Sequence, residues 1–247
     1  MSKQNRESGR TARAAAIRAA QARKERNRRV AIIAGVVVLL GAIVAGGAWY
    51  GSGSGDKAST GAKVPPVAAG TASLTMGDPS APVKIVIYED FLCPFCRELE
   101  SSTRDFLREN AAKGKVLVEY QPINLLTRFP YSAKVLNAWA AVLKNEGPKA
   151  ALELHDLLYE HQPYEESSSQ VTDSQIAGWV KQAGADTDAV RQAMKTPDAE
   201  FFTAAQQAMT SAKVTSTPTV FINGQELPPT GVADMVSKIE AAVDQGS

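Results

Sequence analysis

The apolar run Val83-Lys84-Ile85-Val86-Ile87-Tyr88 has a β-branched composition that suits a strand covered on both faces, and it reads as central in a sheet. After a short break, Arg97 to Ala112 repeats apolar residues at helical spacing through Leu99, Phe106 and Leu107. Lys113-Gly114 ends that pattern with glycine at the capping position. Val116 to Tyr120 then resembles a second strand. A helix joining two such strands is the crossover that a parallel pair requires, so the chain is committed to a β-α-β unit and an α/β fold.

Between the first strand and its helix stands Cys93-Pro94-Phe95-Cys96, which holds the only two cysteines of the 247 residues. A thiolate is the attacking species in disulfide exchange, and unsatisfied N–H groups at a helix start stabilise negative charge, so Cys93 is the candidate nucleophile. Cys96, one turn along, is placed to attack a mixed disulfide and release the partner, which makes it the resolving thiol. Two other readings compete. Tetrahedral zinc needs two further nitrogen or sulfur ligands, and the chain offers only His155 and His161; no metal and no cofactor is expected. An inert bridge closing so short a loop would restrain little of the unfolded chain.

The remaining pattern is a helical stretch over about 131–212 followed by a return to strand composition. Val135, Leu136, Trp139, Val142 and Leu143 share one apolar face, and Leu154, Leu157 and Leu158 another, with breaks at Gly147-Pro148, Gly184 and Pro197. Thr172-Asp173-Ser174-Gln175 has capping-box form ahead of Ile176, Trp179 and Val180. Thr219 to Ile222 reads as a strand, Asn223-Gly224 as a tight hairpin turn, Gln225 to Leu227 as the returning strand, and Val232 to Val243 as a closing amphipathic helix.

Four regions follow. Residues 1–29 carry ten Lys or Arg against two Glu and cannot form a core. Residues 30–50 (VAIIAGVVVLLGAIVAGGAWY) contain no charge and match the roughly 20 residues of a transmembrane helix; the basic leader places the N-terminus in the cytoplasm and the rest outside it. A cleavable signal peptide is the competing reading, with a shorter apolar core of about 7 to 15 residues. Residues 51–72 are rich in Gly, Ser, Ala and Pro and read as a flexible tether, leaving 73–247 as one domain. The leader contributes +8 and residues 51–63 add +1, so a chain of net charge +1 hides a domain from residue 64 onward at −8. That acidity argues against a nucleic-acid partner, and membrane topology explains the leader without one.

Cys-Pro-Phe-Cys after a strand, Thr217-Pro218 before a later strand and Asn223-Gly224 in the hairpin beyond resemble a thioredoxin-like fold. The run Gly77-Asp78-Pro79-Ser80-Ala81-Pro82-Val83 leading into Asp90-Phe91-Leu92-Cys93-Pro94, together with the helical insertion between the second strand and the Thr217-Pro218 strand, resembles the DsbA-like, membrane-anchored, actinobacterial-type branch. The resemblance implies a thiol:disulfide oxidoreductase that oxidises the cysteines of exported clients and is reoxidised by a quinone-linked membrane partner. It also implies a cis bond before Pro218, with Thr217 pairing to client backbone. A reductase or isomerase of the same fold, or a tethered peptide-binding module with a permanent bridge, remains the alternative.

The pattern is not matched throughout. Where many relatives carry a buried acid six residues before the first cysteine, this chain has Ile87, leaving the proton relay unassigned. Glu89 and Asp90 lie nearer the motif and are the candidate substitutes for that acid, although charges at a strand end are more often solvated. Phe95 replaces the histidine of the strongest oxidants, so Cys93 is expected below about 8.5 but not near 3.5. His155 and His161 read as surface or helix-packing residues, Trp139 and Trp179 as core, and Phe91 and Phe129 either as core or as the lining of a groove near the cysteines.

Overall fold

The computed structural model describes residues 65–246; the basic leader, the apolar span 30–50 and the tether as far as residue 64 lie outside the described residues. Among the described residues no helix is long and apolar enough to cross a membrane. Strands β1 (Val67–Ala69), β2 (Leu74–Met76), β3 (Val83–Glu89), β4 (Val116–Pro122), β5 (Thr219–Ile222) and β6 (Gln225–Glu226) form one sheet in the order β1-β2-β4-β3-β5-β6. β3 and β4 are parallel and every other pairing is antiparallel.

Helix α1 (Pro94–Ala112) makes the crossover between β3 and β4. The insertion then runs through α2 (Pro130–Glu160), a 3-10 turn (Glu165–Gln170), α3 (Asp173–Gln182), α4 (Asp188–Ala193) and α5 (Ala199–Ser211), and α6 (Val232–Gln245) closes the chain. All three expected breaks are present. At Gly147 the backbone takes φ 84°, a left-handed value that glycine tolerates, and α2 kinks before Pro148. Trp139 spans that kink by donating its indole N–H to the Ala151 carbonyl at 2.9 Å. Thr172 and Gln175 form the expected capping box on α3.

Three features depart from the sequence reading. β3 is central but not covered evenly: Val83, Ile85 and Ile87 are buried on one face, whereas Lys84 is exposed and Val86 half-buried on the other. β1 lies inside the stretch read as tether. It is held by backbone pairing to β2 with little side-chain burial, which composition does not register. β2 went unread because three residues are too few to display an alternation.

The Asn223-Gly224 turn joins β5 to β6 as expected, with both residues at positive φ. Asn223 also binds β3, its side-chain oxygen accepting from Lys84 N at 2.8 Å and its own N–H donating to Lys84 O at 2.8 Å. Gly77 is sterically obligatory. Gly77 has φ 118°, and a Cβ there would stand 2.2 Å from the Val116 carbonyl oxygen, a backbone atom that cannot move aside. Gly77→Ala is therefore expected to destabilise the domain by about 2 to 4 kcal/mol in urea unfolding, whereas Ala at open Gly178 stays within about 1 kcal/mol.

Candidate functional site

The two cysteines are free thiols at the start of α1, on the carboxyl side of β3. Cys93 is the N-cap and Pro94 the first helical residue, so no side chain occupies the opening N–H groups and they face the sulfur. The Cys93 thiol donates to the Thr217 carbonyl at 3.2 Å. The Thr217–Pro218 peptide is cis and leads directly into β5. Residues 124 positions apart are thus brought together by the antiparallel pairing of β5 with β3. Cys93 is 5% and Cys96 2% exposed, while Phe95 between them is 60% exposed and projects from the site.

The thiols differ sharply in acidity. Cys93 is lowered from 9.0 to about 7, chiefly because the Cys96 thiol hydrogen-bonds to it, with burial opposing and the Thr217 side chain and the N–H groups of Cys96 and Phe95 assisting. Main-chain amides, which the sequence makes the leading cause, are secondary to the neighbouring thiol. Cys96 is held well above the ordinary thiol range, first by burial and then by Cys93. One sulfur is therefore readily ionised near neutrality and the other a reserved thiol, the division of labour that exchange through a mixed disulfide requires.

Asp90 fixes the loop that presents Cys93. Read from sequence as a solvated charge, it is fully buried. One carboxylate oxygen accepts from Leu92 N at 2.9 Å; the other accepts from Leu125 N at 2.9 Å, Leu126 N at 3.0 Å and Ser132 Oγ at 2.7 Å. The Asp90 carbonyl accepts from Cys93 N at 2.9 Å. Gln162, which no sequence pattern singles out, donates its side-chain amide to the carbonyls of Phe91 and Cys93, both at 3.0 Å.

Glu89 also departs from the solvated reading: it is 2% exposed, and its carboxylate lies 2.7 Å from His155 Nε2. Burial opposes a charge on His155, but Glu89 and Glu100 overcome it and raise the imidazole from 6.5 to about 10. His155 is helix-packing, as expected, though as one half of an ion pair. Glu100, His155 and Asp156 could converge on a metal ion, yet Arg104 and Arg108 already bind the two carboxylates, at 3.0 Å from Glu100 and 2.6 Å from Asp156. His161 is exposed and stacks on Trp179 with centroids 5.4 Å apart. Phe91 is core, packed against Trp139, His155 and Tyr159, and Phe129 lies beneath the Arg128 guanidinium.

A dithiol at the start of the crossover helix, facing the residue before a proline-led strand, defines a thioredoxin-fold domain with a helical insertion. A family model described as Thioredoxin matches residues 70–241, and the chain belongs to that family. Its fold is similar to that of the MdbA protein, a thiol-disulfide oxidoreductase from Corynebacterium diphtheriae, with TM-score 0.59, 23% identity and coverage of 78% of this chain and 96% of that one. BdbD from Bacillus subtilis gives TM-score 0.60 at 19% identity over 74% and 97% of the two chains. DsbA from Mycobacterium tuberculosis gives 0.54 at 22% identity over 69% and 92%. Na(+)/H(+) antiporter NhaA 1 from Salinispora arenicola is 27% identical over 150 residues, 60% of this chain and 21% of that protein. The chain thus spans about a fifth of the curated relatives it matches.

Asp90→Ala strands four donors in the interior and is expected to lower the unfolding free energy by about 3 to 5 kcal/mol, read from the urea midpoint. The Cys93 shift has a signature of its own. Because its folded value, about 7, lies below the unfolded 9.0, its contribution is present above pH 9 and lost as pH falls through 7. The stability difference between reduced native protein and Cys93→Ser should grow by about 1.4 kcal/mol per unit from pH 7 to 9. His155 has the opposite sign, its contribution full below pH 6.5 and lost as pH rises through 10, and it cancels in that comparison because both proteins carry it.

Proposed function

We propose that this domain is a membrane-tethered thiol:disulfide oxidoreductase that acts outside the cytoplasm and donates its Cys93–Cys96 disulfide to the cysteines of exported proteins. The observation that carries this reading is the pairing of an acidic, N-capping Cys93 with a buried, high-pKa Cys96 beside Thr217-Pro218. A client thiolate attacks Cys93 Sγ and Cys96 leaves. A second client thiolate then attacks the client sulfur of the mixed disulfide, closing the client's bond and releasing the Cys93 thiolate, whose low pKa makes it a good leaving group.

The N–H and carbonyl groups around Thr217 would pair with an extended client segment, in the manner of an added strand. The charge-free span 30–50 behind a basic leader supports a tether, and such an enzyme needs a reoxidant, for which a quinone-linked membrane protein fits the location. The similar folds of proteins named as thiol-disulfide oxidoreductases point the same way.

One observation favours a second reading. A nucleophile at about 7 is the acidity found in thioredoxin rather than that of the strongest oxidants, near 3.5, and Phe95 supplies no positive charge to depress it further. A reductase or isomerase would suit that value. The reduction potential separates the two: a value above roughly −200 mV supports disulfide donation, whereas one near −270 mV overturns it in favour of reduction. Cys93→Ser should abolish turnover with a reduced, unfolded client, and Cys96→Ala should accumulate mixed disulfides visible on non-reducing gels; full activity in either variant refutes the exchange mechanism.

A further inference from the structure

The helix that carries the cysteines continues past them as one wall of a cleft. Residues four apart on a helix share a face, so Arg97, Ser101 and Asp105 follow Cys93 in line along α1, and the Arg97 N–H donates to the Cys93 carbonyl at 3.2 Å. With Arg104 from α1, and Tyr159 and Glu160 from the last turn of α2, they line a surface cleft of about 400 Å³.

Arg97 is the cation this cleft leaves available. Arg104 is taken by Glu100 at 3.0 Å and Glu160 at 2.7 Å, so Glu160 is balanced as well. Arg97 is half-buried and bonded to an uncharged partner, its Nη1 donating to the Gln162 carbonyl at 3.3 Å; among the described residues no carboxylate pairs with it. Gln162 in turn donates to the carbonyls of Phe91 and Cys93, both at 3.0 Å. The guanidinium is therefore anchored to the loop that presents the nucleophile, while the rest of its fork of donors is unengaged.

A second donor serves the same space. Tyr159 lines the cleft, is 1% exposed, and its hydroxyl bonds to no protein group. Its carbonyl accepts from Gln162 N at 3.3 Å, so the residue that holds Arg97 also holds Tyr159. A guanidinium fork and a phenolic O–H both call for an acceptor, and a carboxylate satisfies them together. Of the acids in the cleft, the one left unbalanced is Asp105. It stands two turns beyond Arg97, about 12 Å along the axis, so the cleft is positive at the cysteine end and negative at the far one.

We propose that Arg97 and Tyr159 form a subsite for a client carboxylate, so that the preferred segment carries Asp or Glu two residues from its reacting cysteine. The proposal rests on the oxidoreductase reading above. The spacing comes from matching two repeats: from Cys93 to Arg97 the helix advances about 6 Å, and two residues of an extended client, on one face of the strand, span about 6.6 Å. The carboxylate takes no part in exchange; it holds the client sulfur beside Cys93 Sγ. The acidity of the domain as a whole disfavours such a client, and the guanidinium reverses the sign locally.

Single-cysteine peptides that differ only in carrying Asp, Asn or Lys two residues before or after the cysteine test this with the oxidised full chain. The rate constant for attack on the Cys93–Cys96 disulfide, read by acid quenching and mass spectrometry, is divided by that of the same peptide with hydroxyethyl disulfide, which removes the neighbour's effect on the peptide's own thiol. The normalised rate should rise about tenfold from Asn to Asp at one of the two positions, fall for Lys, and converge as salt is added. Arg97→Gln should bring the Asp-to-Asn ratio near one, Arg97→Lys should restore part of it, and Tyr159→Phe should lower it about threefold. Because each ratio is taken within one variant, a change in Cys93 acidity cancels. A ratio near one in the unsubstituted protein at both positions, or one that survives Arg97→Gln, overturns the subsite; a ratio unchanged in Tyr159→Phe overturns the part given to the phenol. If no peptide reacts faster with the protein than with hydroxyethyl disulfide, the oxidoreductase reading itself is overturned.

Discussion

The Asp90 carboxylate is the constraint on which the site depends. It sits one residue beyond β3, fully buried, and gathers donors from the turn ahead of Cys93, from the loop after β4 and from the first turn of α2. An isolated carboxylate in such a place would be prohibitively unfavourable; with four donors it becomes a rigid node. Its own carbonyl receives Cys93 N, so the geometry of the nucleophile is set by the same residue that joins the sheet to the insertion. Gln162, just beyond the far end of α2, repeats the arrangement, so both ends of that helix are tied to the cysteine loop.

The electrostatics follow from that scaffold. Cys93 lies where amides and a thiol can donate to it; Cys96, three residues on, is enclosed by apolar neighbours and overlooked by the negative charge of Glu89. The burial that makes Cys96 a poor acid also separates it from solvent. Glu89 stands one repeat beyond Ile87 on the same face of β3 and is balanced by a histidine more than sixty residues away. The wider network of Arg104 and Arg108 with Glu100, Asp156 and Glu160 keeps this cluster of carboxylates tolerable inside a domain that is acidic overall.

Local patterns carried most of the architecture. The β-α-β unit, the capping box at Thr172, the breaks at Gly147-Pro148 and Gly184, and the Asn223-Gly224 hairpin each announce themselves within a few residues, because turn chemistry and helical or strand periodicity are short-range. What could not be read were elements made by backbone pairing alone. β1 and β2 have three residues each, too short for a period, and β1 exists because β2 offers a partner. The charges of Glu89 and Asp90 were misread for a related reason: a carboxylate looks solvated until its partners, drawn from 125 to 132 for Asp90 and from position 155 for Glu89, are known.

By itself, the sequence determined that two cysteines stand one helical turn apart at the head of a crossover helix, and that a charge-free run of membrane-spanning length precedes the domain. These are properties of spacing and composition, which the chain carries whether or not it is folded. Tertiary structure alone decided that Asp90 is a buried node, that burial holds the Cys96 thiol well above the ordinary range, and that Glu89 and His155 are a buried ion pair. Acidity depends on burial and on the donors within hydrogen-bonding reach, and these exist only once residues distant in sequence have been packed together.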